Sequence, residues 1–294
     1  MSTRYAWEEH VHLDTVYDFD YTLLRFSLDP LSKLNREERW VQIPVQIGSE
    51  QHVVEVEGTG TREEPAFVIK GDSVERKEEL LHHIHDLFQW DVNLEDVHEH
   101  FLHTNLDQLF KDHPATPIVK DYHPYDCLMK TIIHQQLNMK FAYTLSTRFV
   151  QAYGNQIDGV WFYPTPERVA TIPYEELRAL QFSQRKAEYV IDTSQKIVDG
   201  ELNLQELTTL DNEEVMKKLT KIRGIGPWTV ENWLLFGAGR ANFLPKADIG
   251  IQNALKHYFG FESKPKQDDI EAMSTGWSPY KSYASLTLWR SIEG

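Results

Sequence analysis

The chain has 294 residues, of which 41% are hydrophobic and 26% charged, with a single cysteine. Such a length and composition suit a globular chain of about two domains, and one cysteine excludes an intramolecular disulfide, a four-thiolate zinc site and a cysteine-held iron–sulfur cluster. The formal charge of −15 argues, taken alone, against nucleic acid as a partner.

That charge is unevenly spread. Residues 1–115 hold 10 basic and 24 acidic side chains, whereas residues 116–294 hold 20 and 21, close to neutrality. The later region is therefore free to carry a basic patch, and the asymmetry is a better guide than the total. No apolar run approaches the roughly 18 residues of a membrane span. The opening MSTRYAWEEHVH lacks the apolar core of a secretory signal. A cytoplasmic location, nucleoid-associated in a bacterium, is the expectation.

In chain order, YTLLRFSL (21–28), RWVQIPVQIG (39–48), QHVVEVEG (51–58) and AFVIKGD (66–72) read as strands, with a loop at GTGTREEP (58–65). ERKEELLHHIHDLFQW (75–90) has apolar residues at helical spacing. Composition changes near Pro114 and Pro117, after which the pattern is helical. Residues 125–154 form a helical stretch interrupted around His134 to Asn138 and stopped by Gly154. Thr165 and Pro166 open one short helix and Pro173 another. Helices are also expected over 183–200, 209–222, 228–237, 248–260 and 278–292. The predicted fold is α+β: a small β-rich domain over 1–115, then an all-α region over 116–294.

The densest chemistry lies in KKLTKIRGIGPWTVENW (217–233). Gly224 and Gly226 permit positive φ and close backbone approach, and Pro227 suits the first turn of the following helix. Backbone N–H groups at that helix start are ready for a phosphate. Lys217, Lys218, Lys221 and Arg223 surround the turn, with no acid from 215 to 230. The bland reading is an ordinary αα-hairpin; the basic cluster weighs against it. Twenty residues beyond Trp228, Asp248 opens the helix of FLPKADIGIQNAL (243–255). Its bland role is an N-cap; an ionised carboxylate beside a basic hairpin is also a charge stabiliser or general base.

LTKIRGIGPWTVENW followed by FLPKADIGIQNAL resembles the hairpin and downstream aspartate loop of the helix-hairpin-helix DNA glycosylases. Within them the chain is similar to the alkylpurine branch, DNA-3-methyladenine glycosylase II (AlkA-type). IIHQQLN (132–138), FSQRKAEYVID (182–192) and WSPYKSYASLTLW (277–289) are similar to further family segments, and VYDFDYTLLRF (16–26) to its N-terminal strand. The resemblance covers 125–292 strongly and 15–115 weakly.

It implies that Asp248 is the catalytic aspartate, stabilising an oxocarbenium-like transition state or activating water. Trp228 stands where lyase relatives carry a Schiff-base lysine, so a monofunctional enzyme is expected. Trp228 and Trp289 are expected to line the base pocket, and Gln136, with Leu137 as the alternative, to fill the space of the flipped nucleotide. Lys221, Arg223, Gly224, Gly226 and Thr229 are expected on the DNA backbone. The backbone of Thr220, Ile222 and Ile225 would hold a structural Na+ or K+, with no other cofactor required. Asn232 and Arg25 depart from the pattern, because some relatives carry pocket aromatics there. The implied activity is base excision repair: flipping alkylated purines of the 3-methyladenine and 7-methylguanine type from damaged double-stranded DNA, as a monomer without a protein partner. A cationic alkylated base leaves without a general acid and stacks well on indole. A non-catalytic helix-hairpin-helix damage-binding protein and a glycosylase for oxidised or deaminated bases are the alternatives. Ten of the 13 histidines lie in residues 1–115, and HHIH (82–85) reads as a solvated helix face rather than a metal site.

Overall fold

A computed structural model describes residues 5–293. Strands β1 (Trp7–His12), β2 (Lys33–Asn35), β3 (Trp40–Ile47), β4 (Glu50–Gly58) and β5 (Ala66–Gly71) form one antiparallel sheet in the order β1-β5-β4-β3-β2. Pro44 is tolerated within β3 because β2 pairs only with Trp40–Gln42, so β3 is an edge where the proline sits.

Between β1 and β2 the chain forms a helix, α1 (Phe19–Phe26), which corrects the strand expected over 21–28 and in the stretch 16–26. Asp18 caps it by accepting from the Tyr21 N–H at 2.9 Å. Arg290 holds the other carboxylate oxygen of that cap at 2.6 Å from the far end of the chain. Phe19 and Leu23, one turn apart, then face the sheet, with the Phe19 ring edge-on to Phe67 at 5.1 Å.

Helices α2 (Lys77–Phe88), α3 (Leu94–Phe101) and α4 (Asp107–Asp112) complete this region. His82 is exposed on α2, as a solvated face requires, but His83 packs against His123 at 5.0 Å and is pushed down to about 4 by burial.

The long helical stretch is two helices, α5 (Pro124–His134) and α6 (Met139–Tyr153). A short hairpin follows, β6 (Asn155–Ile157) and β7 (Val160–Phe162), turning at Asp158–Gly159 with φ of 51° and 84°. Next come α7 (Pro166–Ala170), α8 (Tyr174–Ala179), α9 (Gln184–Val198), α10 (Leu204–Leu207), α11 (Asn212–Leu219) and α12 (Pro227–Asn232), which runs on into a π-helical turn, Trp233–Gly237. The last helices are α13 (Ile249–Phe259), α14 (Gln267–Met273) and α15 (Lys281–Arg290).

Two large hydrophobic cores result among the described residues, beside a small cluster of Val53, Val160 and Phe162. One lies among α5–α12 and runs from Cys127 to Leu234, joined by Leu31. The other joins the sheet and α1–α4 to Ile251, Leu255, Ile270, Trp277, Tyr283 and Leu288 of the C-terminal helices. Phe236 touches both, and the candidate site opens at that seam.

Candidate active site and nucleic-acid interface

Gly226 is the N-cap of α12 and Pro227 its first residue. From there Trp228, Asn232 and Phe236 descend at four-residue intervals and line a cavity of about 310 Å³. The lining is completed by Arg25 and Phe26 in the last turn of α1, by Asp29 just beyond it, and by Tyr122 and Tyr143. Trp228 is 37% exposed at the rim. A cavity of this volume, aromatic with a few polar groups, is the usual form of a small-molecule pocket. The π-helical turn, a feature common at functional sites, brings Phe236 onto the cavity and leaves Trp233 buried with its indole N–H on the Pro124 carbonyl at 2.9 Å.

Deep in the cavity, Lys130 is ion-paired with Asp121. Asp126 beside them is pushed up to about 8, by burial first and by the charge of Asp121 second. The Tyr163 hydroxyl is buried there without a hydrogen-bond partner among the described residues.

Asp248 caps α13. Its Oδ1 accepts from the Ile251 N–H at 2.9 Å and from the Trp289 indole N–H at 3.0 Å. The residue between has to be glycine: a Cβ on Gly250 would lie 2.8 Å from the indole nitrogen and 2.9 Å from Oδ1. Trp289 in turn stacks on Phe236, with centroids 6.1 Å apart. The tryptophan expected in the pocket is thus one layer behind it, and Phe236 is the aromatic surface that the cavity meets. Glu231, on α12, faces Asp248. Its Oε2 is buried without a partner, and burial pushes the carboxyl up to about 7, the Asp248 charge adding to the shift and Lys246 opposing it.

The hairpin between α11 and α12 borders a groove lined by Gln135, Gln136, Tyr189 and residues 220–229. Gly224 has φ of 91°, and a Cβ there would sit 2.2 Å from the Tyr189 ring. Gly226, expected to share this freedom, has an ordinary φ of −97°; no other group lies within 4 Å of where its Cβ would be, so its contribution is open space. The basic cluster is half paired already: Arg223 with Glu188 at 2.6 Å and Lys218 with Glu206 at 2.8 Å. Lys217 and Lys221 have no ion-pair partner among the described residues. Thr229 is only 1% exposed, and its hydroxyl accepts from Gln135 Nε2 at 2.8 Å, so its side chain braces the hairpin from inside and does not project into the groove. The carbonyl-bearing residues Thr220, Ile222 and Ile225 all border the groove, and the Ile222 carbonyl also accepts from the Ile225 N–H at 3.0 Å.

The break between α5 and α6 is built with care. Gln136 takes φ of 56° and is exposed, whereas Leu137 is half-buried and lines the cavity. Asn138 then caps α6 through the Phe141 N–H at 3.0 Å. Two side chains that sequence reasoning passed over hold this loop. Gln135 Nε2 also donates to the Gly224 carbonyl at 2.8 Å, tying loop to hairpin. Lys186, 9% exposed on α9, donates to the carbonyls of Ile132, Ile133 and Gln135 at 3.0, 2.7 and 3.1 Å. Its ammonium thus satisfies carbonyls left open at the C-terminus of α5, while burial pushes it down to about 8. Neither residue has a local sequence signature, since each acts on partners about 50 to 90 positions away. Phe236 did have one: it continues the stripe of Trp228 and Asn232.

Among the described residues, no group of three His, Cys, Asp or Glu side chains is placed to hold a metal ion, and no helix is long and apolar enough to cross a membrane.

Comparison with known proteins agrees with this geometry. Residues 129–279 match the family model of the HhH-GPD superfamily base excision DNA repair proteins. The chain is 51% identical to the putative DNA-3-methyladenine glycosylase YfjP of Bacillus subtilis (strain 168), over 98% of this chain and 100% of that protein. It is 30% identical to the DNA-3-methyladenine glycosylase of the same strain, over 74% of this chain and 73% of that protein. The solved structure of the 3-methyladenine DNA glycosylase from Archaeoglobus fulgidus shares the fold, with a TM-score of 0.85 at 19% identity over 96% of this chain and 97% of that one. Helix-hairpin-helix, cavity and capping aspartate thus occur in a chain that belongs to the HhH-GPD superfamily of base excision DNA repair proteins, in its DNA-3-methyladenine glycosylase branch.

Proposed function

We propose that this protein is a monofunctional DNA N-glycosylase that flips alkylated purines out of double-stranded DNA and excises them, with Asp248 as the catalytic carboxylate. The observation that carries the reading is the setting of Asp248. Both protein donors to its side chain meet Oδ1, and Oδ2 accepts no hydrogen bond from the described residues. One oxygen is held rigidly and the other is left for the reaction.

The chemistry follows. The bond between C1′ and the base nitrogen breaks with its electron pair leaving on the base, and positive charge develops on the sugar. The Asp248 carboxylate stabilises that charge. Water adds its oxygen to C1′ and gives up a proton, for which the same carboxylate is the acceptor. A cationic alkylated base leaves without prior protonation. Trp228 and Phe236 offer aromatic faces on which it stacks.

The absence of lyase chemistry is supported by the lysines around the site. Lys130 is bound to Asp121, Lys186 to three carbonyls and Lys246 to Glu271, and the family resemblance puts Trp228 where lyase relatives carry their lysine. Gln136, exposed and in a left-handed conformation at the groove, is the better candidate than Leu137 for the side chain that enters the duplex. Lys221, Arg223, Gly224 and Gly226 take the DNA backbone. A Na+ or K+ on the Thr220, Ile222 and Ile225 carbonyls suits that neutral oxygen donor set and would add positive charge facing a phosphate.

The test is release of free bases from methylated duplex DNA, wild type beside Asp248→Asn, resolved by chromatography. Methylated purines appear with wild type and not with the variant. Undiminished release by Asp248→Asn would remove Asp248 from the chemistry, and no release by a folded, DNA-binding wild type would remove alkylpurines as substrates. Borohydride trapping yields no covalent adduct; an adduct would identify an amine acting as nucleophile.

A further inference from the structure

Arg25 stands in the last turn of α1 and forms part of the cavity wall. Its guanidinium lies 5.5 Å from the centroid of Phe236. Phe236 stacks on Trp289, and Trp289 donates to Asp248. A chain of contacts therefore runs from the carboxylate through Trp289 and Phe236 to the guanidinium. Both hydrogen bonds of Arg25 are long and fall on the same nitrogen, Nη1: Tyr21 Oη at 3.4 Å and Glu293 Oε1 at 3.5 Å. Nε and Nη2 have no protein partner among the described residues, and neither is sealed away from solvent. The guanidinium thus lies over an aromatic ring beside the cavity, with Nε and Nη2 unpaired.

That fork matches two adjacent acceptors. A purine with a carbonyl at C6 presents O6 and N7 side by side; an adenine-type purine presents an amino donor at C6 instead. Against a guanidinium the pairing at C6 is donor to acceptor for the first and donor to donor for the second, an unmethylated N7 accepting in both. Hypoxanthine keeps both acceptors, and 7-methylguanine keeps O6. The carboxylate of Glu293 offsets the Arg25 charge, so a cationic base is not expelled by it. Asp29, on the same wall, supplies an acceptor for the N–H groups of such a base.

We propose that Arg25 is the specificity-determining residue of this cavity and selects purines with a carbonyl at C6 over those with an amino group. This rests on the reading of the cavity as the pocket for the flipped base.

The experiment uses the full chain in single-turnover release assays. Substrates are methylated duplex DNA containing both 7-methylguanine and 3-methyladenine, and a duplex with one hypoxanthine. Arg25→Met keeps an unbranched stem on Phe236 and removes the fork; Arg25→Lys keeps the charge without the fork. Both variants lower the ratio of 6-oxopurine release to 3-methyladenine release, Arg25→Met by about 10- to 100-fold, the range of a base-reading arginine contact. If Arg25→Met does not fold, the ratio measured with Arg25→Lys decides. An unchanged ratio, including equal loss on every substrate, overturns the proposal and leaves the glycosylase reading standing. A wild type that releases none of the three bases overturns both, so the two failures are told apart.

Discussion

The hairpin groove and the cavity are built by different parts of the chain. Every residue bordering the groove lies between Gln135 and Thr229, in the near-neutral helical region. The cavity draws one wall from α12 and its π-helical turn, and the other from α1 in the acidic region. The surplus of acid in the first 115 residues therefore does not border the candidate surface for DNA phosphates. At the cavity it is represented by Asp29, beside the basic Arg25. On the proposed reading, non-specific binding and base choice are separated in the chain, so changes in one region should alter affinity and changes in the other selectivity.

The largest expected effect breaks the comparison at its join. Asp248→Asn lowers single-turnover base release by about 10²- to 10³-fold while DNA affinity, read by fluorescence anisotropy, stays near wild type. A parallel loss of affinity would mean that Asp248 serves groove and cavity alike.

Lys186→Met comes next. It removes a charged donor from three carbonyls and costs about 1.5–3 kcal/mol of stability, measured by urea unfolding. The loop at Gln136 loosens, so the fluorescence gain of 2-aminopurine beside a lesion falls more than affinity does. Equal changes in both would place Lys186 in general stability alone.

Lys221→Ala acts on the groove only. It weakens binding to every sequence alike and lowers the slope of log affinity against log salt by about 1, with relative base preference unchanged. A changed preference would contradict the separation.

The smallest effect is on stability against pH. Glu231 is held near 7 against an ordinary 4.5, so the folded chain binds its proton more tightly than the unfolded chain. Stability from this group is full below 4.5 and is lost as pH rises through about 7. Glu231→Gln should therefore raise the melting temperature at pH 8 and leave it unchanged at pH 4. A gain of the same size at both would show that shape, not charge, sets the effect.

Some of this was readable locally. The hairpin, the Asp248 cap and the break at 134–138 rest on short-range rules: glycine at a turn, a carboxylate before an apolar helix, a lapse in helical spacing. The Asp-Gly turn of β6–β7 was equally local, since Asp158–Gly159 between apolar residues is a strong hairpin signal, yet it was not among the predicted elements. Strands β1 and β2 and helices α3, α4, α10 and α14 also went unpredicted; β2, α4, α10 and α14 have only 3, 6, 4 and 7 residues, too short for periodicity to emerge.

By itself, the sequence determined the class of the fold, the position of the glycine hairpin turn and the identity of the capping aspartate, because each depends on residues within one or two helical turns. Only the tertiary structure decided that 19–26 is a helix, since its cap is anchored by Arg290. It also decided that Phe236 stands before Trp289, that Lys186 and Gln135 brace the loop, and that Arg25 enters the cavity. Those are meetings of side chains about 50 to 270 positions apart. Packing density and hydrogen-bond satisfaction choose them, and no short window of residues carries that information.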